Sequence, residues 1–233
     1  MHTGAHPPES PTIEPGSSPL IGAALGLGLV VAAMALAVFV WLGYQIRMGE
    51  PPAFDLTVRN GLRSLETPAL SNVMWAASVY AAPVRLLPLS LVAAAVFLIR
   101  GWRRGALLVL VTLTGAALLD VGLKALFARA RPQAFFEYYP TPTSFSFPSG
   151  HALVATCLFG GITVLVTHRL ETRVAQVLVW LGAVALVLLV GVSRIYLGVH
   201  YPTDVIGGFA VGVVWVTAVA LGDRLAEHRR LRV

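Results

Sequence analysis

Val174 to Leu221 reads VAQVLVWLGAVALVLLVGVSRIYLGVHYPTDVIGGFAVGVVWVTAVAL, two apolar runs joined by the short connector Ser193–Asp204. Each run is long enough to cross the roughly 30 Å hydrocarbon core of a bilayer as a helix, so the connector lies at a membrane surface. There the chain gathers a guanidinium (Arg194), an imidazole (His200) and a carboxylate (Asp204). Pro202 favours the first turn of a helix and extends the residue before it, which puts Asp204 in the first turn, four residues after His200. A carboxylate there can hold one imidazole nitrogen and leave the other free as a base or nucleophile. A structural His–Asp pair at a helix start reads equally well from this stretch alone.

The rest of the composition extends this reading. Of 233 residues, 57% are apolar and 12% charged, with a mean hydropathy of +0.77, far from an ordinary soluble domain and diagnostic of a polytopic membrane protein. The net charge of +6 is spread over loops and tail without a basic stripe, which speaks for orientation in a membrane and against nucleic acid as a partner. Cys157 is the sole cysteine, so no intramolecular disulfide forms.

Residues 1–18 lack apolar periodicity and read as a disordered cytoplasmic tail, in which His2 and His6 are inert. Residues 19–222 read as one all-α membrane domain, a bundle of six transmembrane helices with a short interfacial helix, and 223–233 as a basic cytoplasmic tail. Helix one is predicted over Leu20–Tyr44. Phe54, Val58, Leu62 and Leu65 recur at helical spacing, with Arg59, Arg63 and Glu66 on other faces, as in a helix lying along the membrane surface or in an exposed loop. Thr67 and Pro68 mark a new helix start, and the pattern then runs through Pro83 and Pro88 to Ile99, too long for one straight span and therefore kinked. Gly105–Phe127, Gly150–Thr167, Val174–Val192 and Pro202–Leu221 complete the six. Arg100, Arg103, Arg104, Arg169, Arg173, Arg224, Arg229, Arg230 and Arg232 fall on one side, which the positive-inside rule makes cytoplasmic, with both termini and the surface residues His168 and His228.

Helix parity then brings three polar segments to the opposite face. Lys124 and Arg131 are seven residues apart, two turns, and face one way for as long as the helix persists. Pro148–His151 reads PSGH, with Ser149 as an N-cap and the backbone donors from Gly150 onward aimed at an anion. Arg194 adds a third cation, and His151 stands ready as a general acid. Snorkelling cations and an ordinary helix start explain each piece singly. Only the conjunction points to a phosphate site.

The three segments resemble the type 2 phosphatidic acid phosphatase superfamily, whose pattern is K-x6-RP, PSGH and SR-x5-H-x3-D. Lys124, Arg131, Pro132, Pro148–His151, Ser193, Arg194, His200 and Asp204 fill every signature position. The resemblance implies that His200 is a nucleophile forming a phosphohistidine, that Asp204 orients it, and that His151 protonates the leaving oxygen. It further implies that Lys124, Arg131, Ser149, Gly150 and Arg194 cradle the phosphate, with no metal or other cofactor. The expected enzyme is a membrane phosphatase of lipid phosphomonoesters or pyrophosphates at the outer face of a cytoplasmic membrane. Polyprenyl pyrophosphate, phosphatidic acid and phosphatidylglycerophosphate are its candidate substrates. A phosphatase of a soluble metabolite, a vanadate-dependent haloperoxidase and a non-catalytic lipid-binding or transport protein are the other classes. The sequence carries no signal for an oligomeric state.

Two further expectations come from the residues themselves. Asp120, four before Lys124 in apolar surroundings, pairs with it and aims the ammonium, or else makes a structural hydrogen bond to another helix. Phe135, Phe136, Tyr138 and Tyr139 form an interfacial aromatic belt or a substrate contact around the unassigned Glu137.

Overall fold

The computed structural model describes residues 19–49, 52–137, 139 and 141–230. Expectations for 1–18, Tyr138 and Arg232 lie outside them. The described residues are all-helical: α1 (Pro19–Arg47), α2 (Ala53–Arg63), α3 (Pro68–Tyr80), α4 (Pro83–Ile99), α5 (Arg103–Phe127), α6 (Gly150–Ala155), a π turn (Thr156–Gly160), α7 (Gly161–Thr167), α8 (Arg173–Tyr196) and α9 (Pro202–Arg230). Among them, α1, α5, the α6–α7 unit, α8 and α9 are each long and apolar enough to cross a membrane. The bent pair α3–α4 makes the sixth span if counted as one.

That pair breaks where the chemistry requires it. Pro83 has no N–H to continue the ladder, so a new helix starts there, and the axis turns by 59°. Thr67 caps α3 by accepting from Leu70 N at 3.2 Å, as its position before Pro68 predicts. Three ends overrun the expected limits: α1 continues to Arg47, α8 to Tyr196 and α9 to Arg230. Helix geometry outlasts the apolar pattern because polar residues at a bilayer surface keep their backbone bonds.

The α6–α7 unit is the centre of the bundle. Half of its spanning window is buried, against 11% for α1 and α8, whose large apolar side chains face outward. In lipid an exposed Leu or Val is solvated, so burial here marks packing and not hydropathy. Around this unit Leu86, Val109, Leu113, Ala116, Leu153, Leu158, Val190 and Val211 form one core. A second core, of Met74, Phe136, Tyr139, Tyr196, Leu197 and Val199, lies under the connector ends of the helices.

The crossing of α6 on α9 depends on two glycines four residues apart. A Cβ at Gly208 would come within 2.6 Å of the Ser149 carbonyl oxygen, and one at Gly212 within 2.6 Å of Thr156 Cβ. Small residues at this spacing let helix backbones approach closely. Gly208→Ala therefore has to push backbone apart, costing about 1–3 kcal/mol. The expected result is a melting temperature in detergent lowered by several degrees. Gly222→Ala, where nothing lies within 4 Å, serves as the unaffected control.

Candidate active site

Helix α5 ends because Ala128 takes left-handed geometry (φ 46°) and donates back to the Lys124 carbonyl at 2.9 Å. This overturns the expectation that Lys124 and Arg131 share a helical face. Pro132 also disfavours helical geometry at Arg131, which belongs to a loop. The loop is stapled to the other two segments through its backbone. Ser146 N donates to Arg129 O (2.8 Å), Phe135 N to Leu197 O (3.3 Å) and Ser149 N to Asp204 O (2.9 Å). Phe147, fully buried, stacks on Phe39 of α1 and meets Phe127 edge-on, fixing where PSGH begins.

His200 is the point on which these segments converge. Its Nδ1 lies 3.3 Å from Asp204 Oδ2 and its Nε2 2.8 Å from Arg131 Nη1. A carboxylate on one side and an N–H donor on the other place the proton on Nδ1 and leave the Nε2 lone pair toward Arg131. Burial pushes the His200 pKa down to about 3, with Arg131 adding to the shift and the Asp204 hydrogen bond opposing it. The imidazole is therefore neutral at physiological pH.

This has a consequence for stability. A folded pKa below the unfolded value of about 6.5 means that the unfolded chain binds more protons between the two. Stability is full above pH 6.5 and is lost as pH falls toward 3. The melting temperature should decline across that window more steeply for the wild type than for His200→Gln, measured at pH 7, 5 and 4.

Asp204 is saturated with donors. Oδ2 accepts from Tyr201 N (2.8 Å) and Ser146 Oγ (2.5 Å), and Oδ1 accepts from Arg129 Nη1 (2.6 Å). Arg131 makes a second set of contacts, donating to Ser144 O (2.7 Å), Val199 O (2.9 Å), Ser144 Oγ (3.1 Å) and Phe145 O (3.2 Å). Burial, with Arg194 nearby, brings its pKa down to about 10, still a cation at neutral pH. Arg194 is fully buried and donates to Ser78 Oγ and Tyr139 OH, while its Nε has no partner. Half-buried His151 lies within electrostatic reach of Arg194, His200, Lys124 and Arg131.

Ser149 occupies the N-cap position, but its hydroxyl makes no capping bond. That expectation is corrected: the buried Oγ is unpartnered, hence available to a ligand. The Asp120–Lys124 pair is present at 2.8 Å. The other carboxylate oxygen, Oδ1, is buried without a partner, and a Cβ at Gly150 would approach it to 2.6 Å. Asp120 thus abuts the positive end of α6.

Two aromatic assignments also change. Phe136 and Tyr139 belong to the buried second core and not to a belt, and Phe135 lies under the guanidinium groups of Arg59 and Arg63. Sequence reasoning missed Arg129, Ser146, Asp55, Thr203, Ser78 and Tyr139 as partners of the site. The first Arg of ARARP, Arg129, was the one available signal, since a buried loop cation needs a carboxylate. Among the described residues no three His, Cys, Asp or Glu side chains gather around one point.

Comparison with known proteins agrees with this geometry. Residues 105–224 match the family model described as the PAP2 superfamily. Phosphatidylglycerophosphatase B of Bacillus subtilis is 35% identical over 178 residues, covering 76% of this chain and 86% of that protein. Undecaprenyl-diphosphatase of Sulfolobus acidocaldarius is 30% identical over 134 residues, 56% of this chain and 60% of that protein. The crystal structure of the transmembrane PAP2 type phosphatidylglycerolphosphate phosphatase from Bacillus subtilis superposes with a TM-score of 0.75 at 31% identity, over 83% of this chain and 96% of that one. A membrane bundle whose three polar segments close on one imidazole, matched over most of its length by such relatives, belongs to the PAP2 superfamily.

Proposed function

We propose that this membrane phosphatase hydrolyses phosphorylated lipids through a phosphohistidine on His200. The observation that carries the reading is the His200 imidazole held between Asp204 and Arg131, with its reactive nitrogen on the cation's side. In the first step the Nε2–P bond forms and the P–O bond to the lipid breaks, while His151 gives its proton to the departing oxygen. Arg131 turns from Nε2 to the phosphoryl oxygens as they arrive. In the second step water attacks phosphorus, His151 takes its proton, and the Nε2–P bond breaks to release phosphate. Asp204 holds the Nδ1–H throughout and steadies the positive charge that develops on the ring.

The phosphate cradle consists of Lys124, Arg131, Arg194, the Ser149 hydroxyl and the N–H groups that begin α6 at Gly150. Support comes from the charge balance. Lys124 and Arg129 are matched by Asp120, Asp55 and Asp204, whereas among the described residues no carboxylate lies within ion-pair distance of Arg131 or Arg194. A buried cation, Arg194, a half-buried one, Arg131, neither with a carboxylate in ion-pair distance, and an unpartnered hydroxyl fit a dianion. Donors aimed at developing charge are the main resource of phosphoryl transfer.

The substrate is read as a lipid because the site is built from the ends of membrane-spanning helices and the loops that join them, where a head group can be held while its chains stay in the membrane. Phosphatidylglycerophosphate and undecaprenyl diphosphate, the substrates named for the relatives, are the first to test. For orientation, Arg104 pairs with Asp223 and Glu227, and Arg224 meets His168, at the end of the bundle away from His200. Together with Arg169 and Arg173 these basic residues support, by the positive-inside rule, a cytoplasmic side for that end and both termini and an outer face for the site. The chain divides into the tail 1–18, the membrane domain 19–222 and the basic tail 223–233.

The test is phosphate release by purified protein in detergent from phosphatidic acid, phosphatidylglycerophosphate, undecaprenyl diphosphate and glucose 6-phosphate, with chelator throughout. Release from at least one lipid, at a kcat/KM well above that for the sugar phosphate, is expected. Preference for the sugar would overturn the lipid assignment.

A further inference from the structure

Helix α2 carries three charged side chains at i, i+4 and i+8, Asp55, Arg59 and Arg63, and all three reach into the site loops. Arg59 donates to Gln133 O and to Gly198 O (3.1 Å), and Arg63 to Phe135 O (2.7 Å). Arg59 and Arg63, expected on faces other than that of Phe54, Val58, Leu62 and Leu65, thus meet the site loops. Both loops expose carbonyls that lack regular partners, and a helix laid across them supplies donors. The outward side of α2 leaves Phe54 and Leu56 exposed, as a bilayer-surface helix should.

Asp55 is the deepest of the three. It is fully buried, accepting from Thr203 N (2.9 Å), Thr203 Oγ1 (2.6 Å) and Arg129 Nη2 (2.9 Å). The other guanidinium nitrogen, Arg129 Nη1, holds Asp204 Oδ1 at 2.6 Å and Thr203 Oγ1 at 2.8 Å. Arg129 is 9% exposed and covered by the Tyr201 ring at 4.2 Å, so its fork is spent on the two carboxylates and not on substrate. A planar fork between two fixed acceptors transmits orientation, which a lone ion pair does not.

We propose that Asp55 is a positioning residue for the nucleophile, acting through Arg129 and Thr203 to fix the Asp204 carboxylate and with it the rotation of the His200 ring. The surface helix α2 is then part of the catalytic apparatus without touching the phosphate. This rests on the assignment of His200 as nucleophile. Without Asp55, Arg129 keeps only Asp204 as its anion and is free to drag that carboxylate off the imidazole. Attack geometry suffers while the phosphate cradle is untouched.

The experiment compares wild type, Asp55→Asn, Arg129→Gln, the double variant and His200→Ala, with short-chain phosphatidic acid in detergent as substrate and inorganic phosphate as inhibitor. Asp55→Asn should lower kcat roughly 10- to 100-fold, with KM and the phosphate inhibition constant within about twofold of wild type. Arg129→Gln should behave alike. The double variant should be no slower than the slower single one, because both changes remove one device. Wild-type kcat in Asp55→Asn, a loss confined to KM or to phosphate affinity, or two losses that multiply would each overturn the proposal. Should Asp55→Asn yield no folded protein, Thr203→Val removes the hydroxyl bonds to Asp55 and from Arg129 with no change of charge. It should lower kcat several-fold, and an unchanged kcat there sinks the idea. If His200→Ala keeps its activity, the nucleophile assignment itself fails. If His200→Ala is inert and Asp55→Asn is normal, only the present inference does.

Discussion

Phosphate release by His200→Ala should fall at least about 10⁴-fold, to background, with the protein still monodisperse and helical in detergent. Losses of that order follow removal of a covalent nucleophile when the remaining site can only bind and polarise. The structure explains why the loss should be catalytic and not structural. Among the described residues the His200 side chain hydrogen-bonds only to Arg131, Asp204 and Ser146, each of which has other partners. Phosphate trapped on wild-type protein by rapid acid-free quench, and absent from the variant, is the direct readout. Near-normal release by the variant would mean that another group attacks phosphorus.

The second large effect concerns His151 and depends on the leaving group. His151→Ala should lower kcat for phosphatidic acid by roughly 10²–10⁴-fold, the usual range for general acid catalysis. For an aryl phosphate such as p-nitrophenyl phosphate, whose leaving oxygen departs without a proton, the loss should be at least tenfold smaller. The α6 start puts His151 beside the cradle, one residue after Gly150 and within reach of the charges on Lys124, Arg131 and Arg194. Equal losses on both substrates would assign His151 to phosphate binding instead. The comparison separates the roles because binding is common to both substrates and protonation is not.

The apolar runs predicted the bundle because a lipid solvent imposes one condition on all of them, a helix with every backbone group satisfied internally. Where the condition relaxes, at the surface, the sequence was a weaker guide. It missed the extensions of α1, α8 and α9 and the π turn Thr156–Gly160, while α5 stops at Phe127 as the apolar pattern predicts. For Lys124 and Arg131 the helical spacing argument does not hold, since a left-handed Ala128 and a loop, not two helical turns, bring Arg131 to His200.

The sequence by itself determined that the chain is an all-helical membrane protein, and it singled out Lys124, Arg131, Ser149, Gly150, His151, Arg194, His200 and Asp204 as candidates for one site. Periodicity, hydropathy and motif spacing are local properties, readable within one run or across a short gap. Tertiary structure alone decided what supports them. Asp55 reaches Thr203 across 148 residues, Arg129 reaches Asp204 across 75, and Arg194 meets Ser78 across 116. Those buried polar groups had to find partners once water was excluded, and the choice of partner belongs to the packing of α2, α3, α8 and α9, which no local pattern encodes.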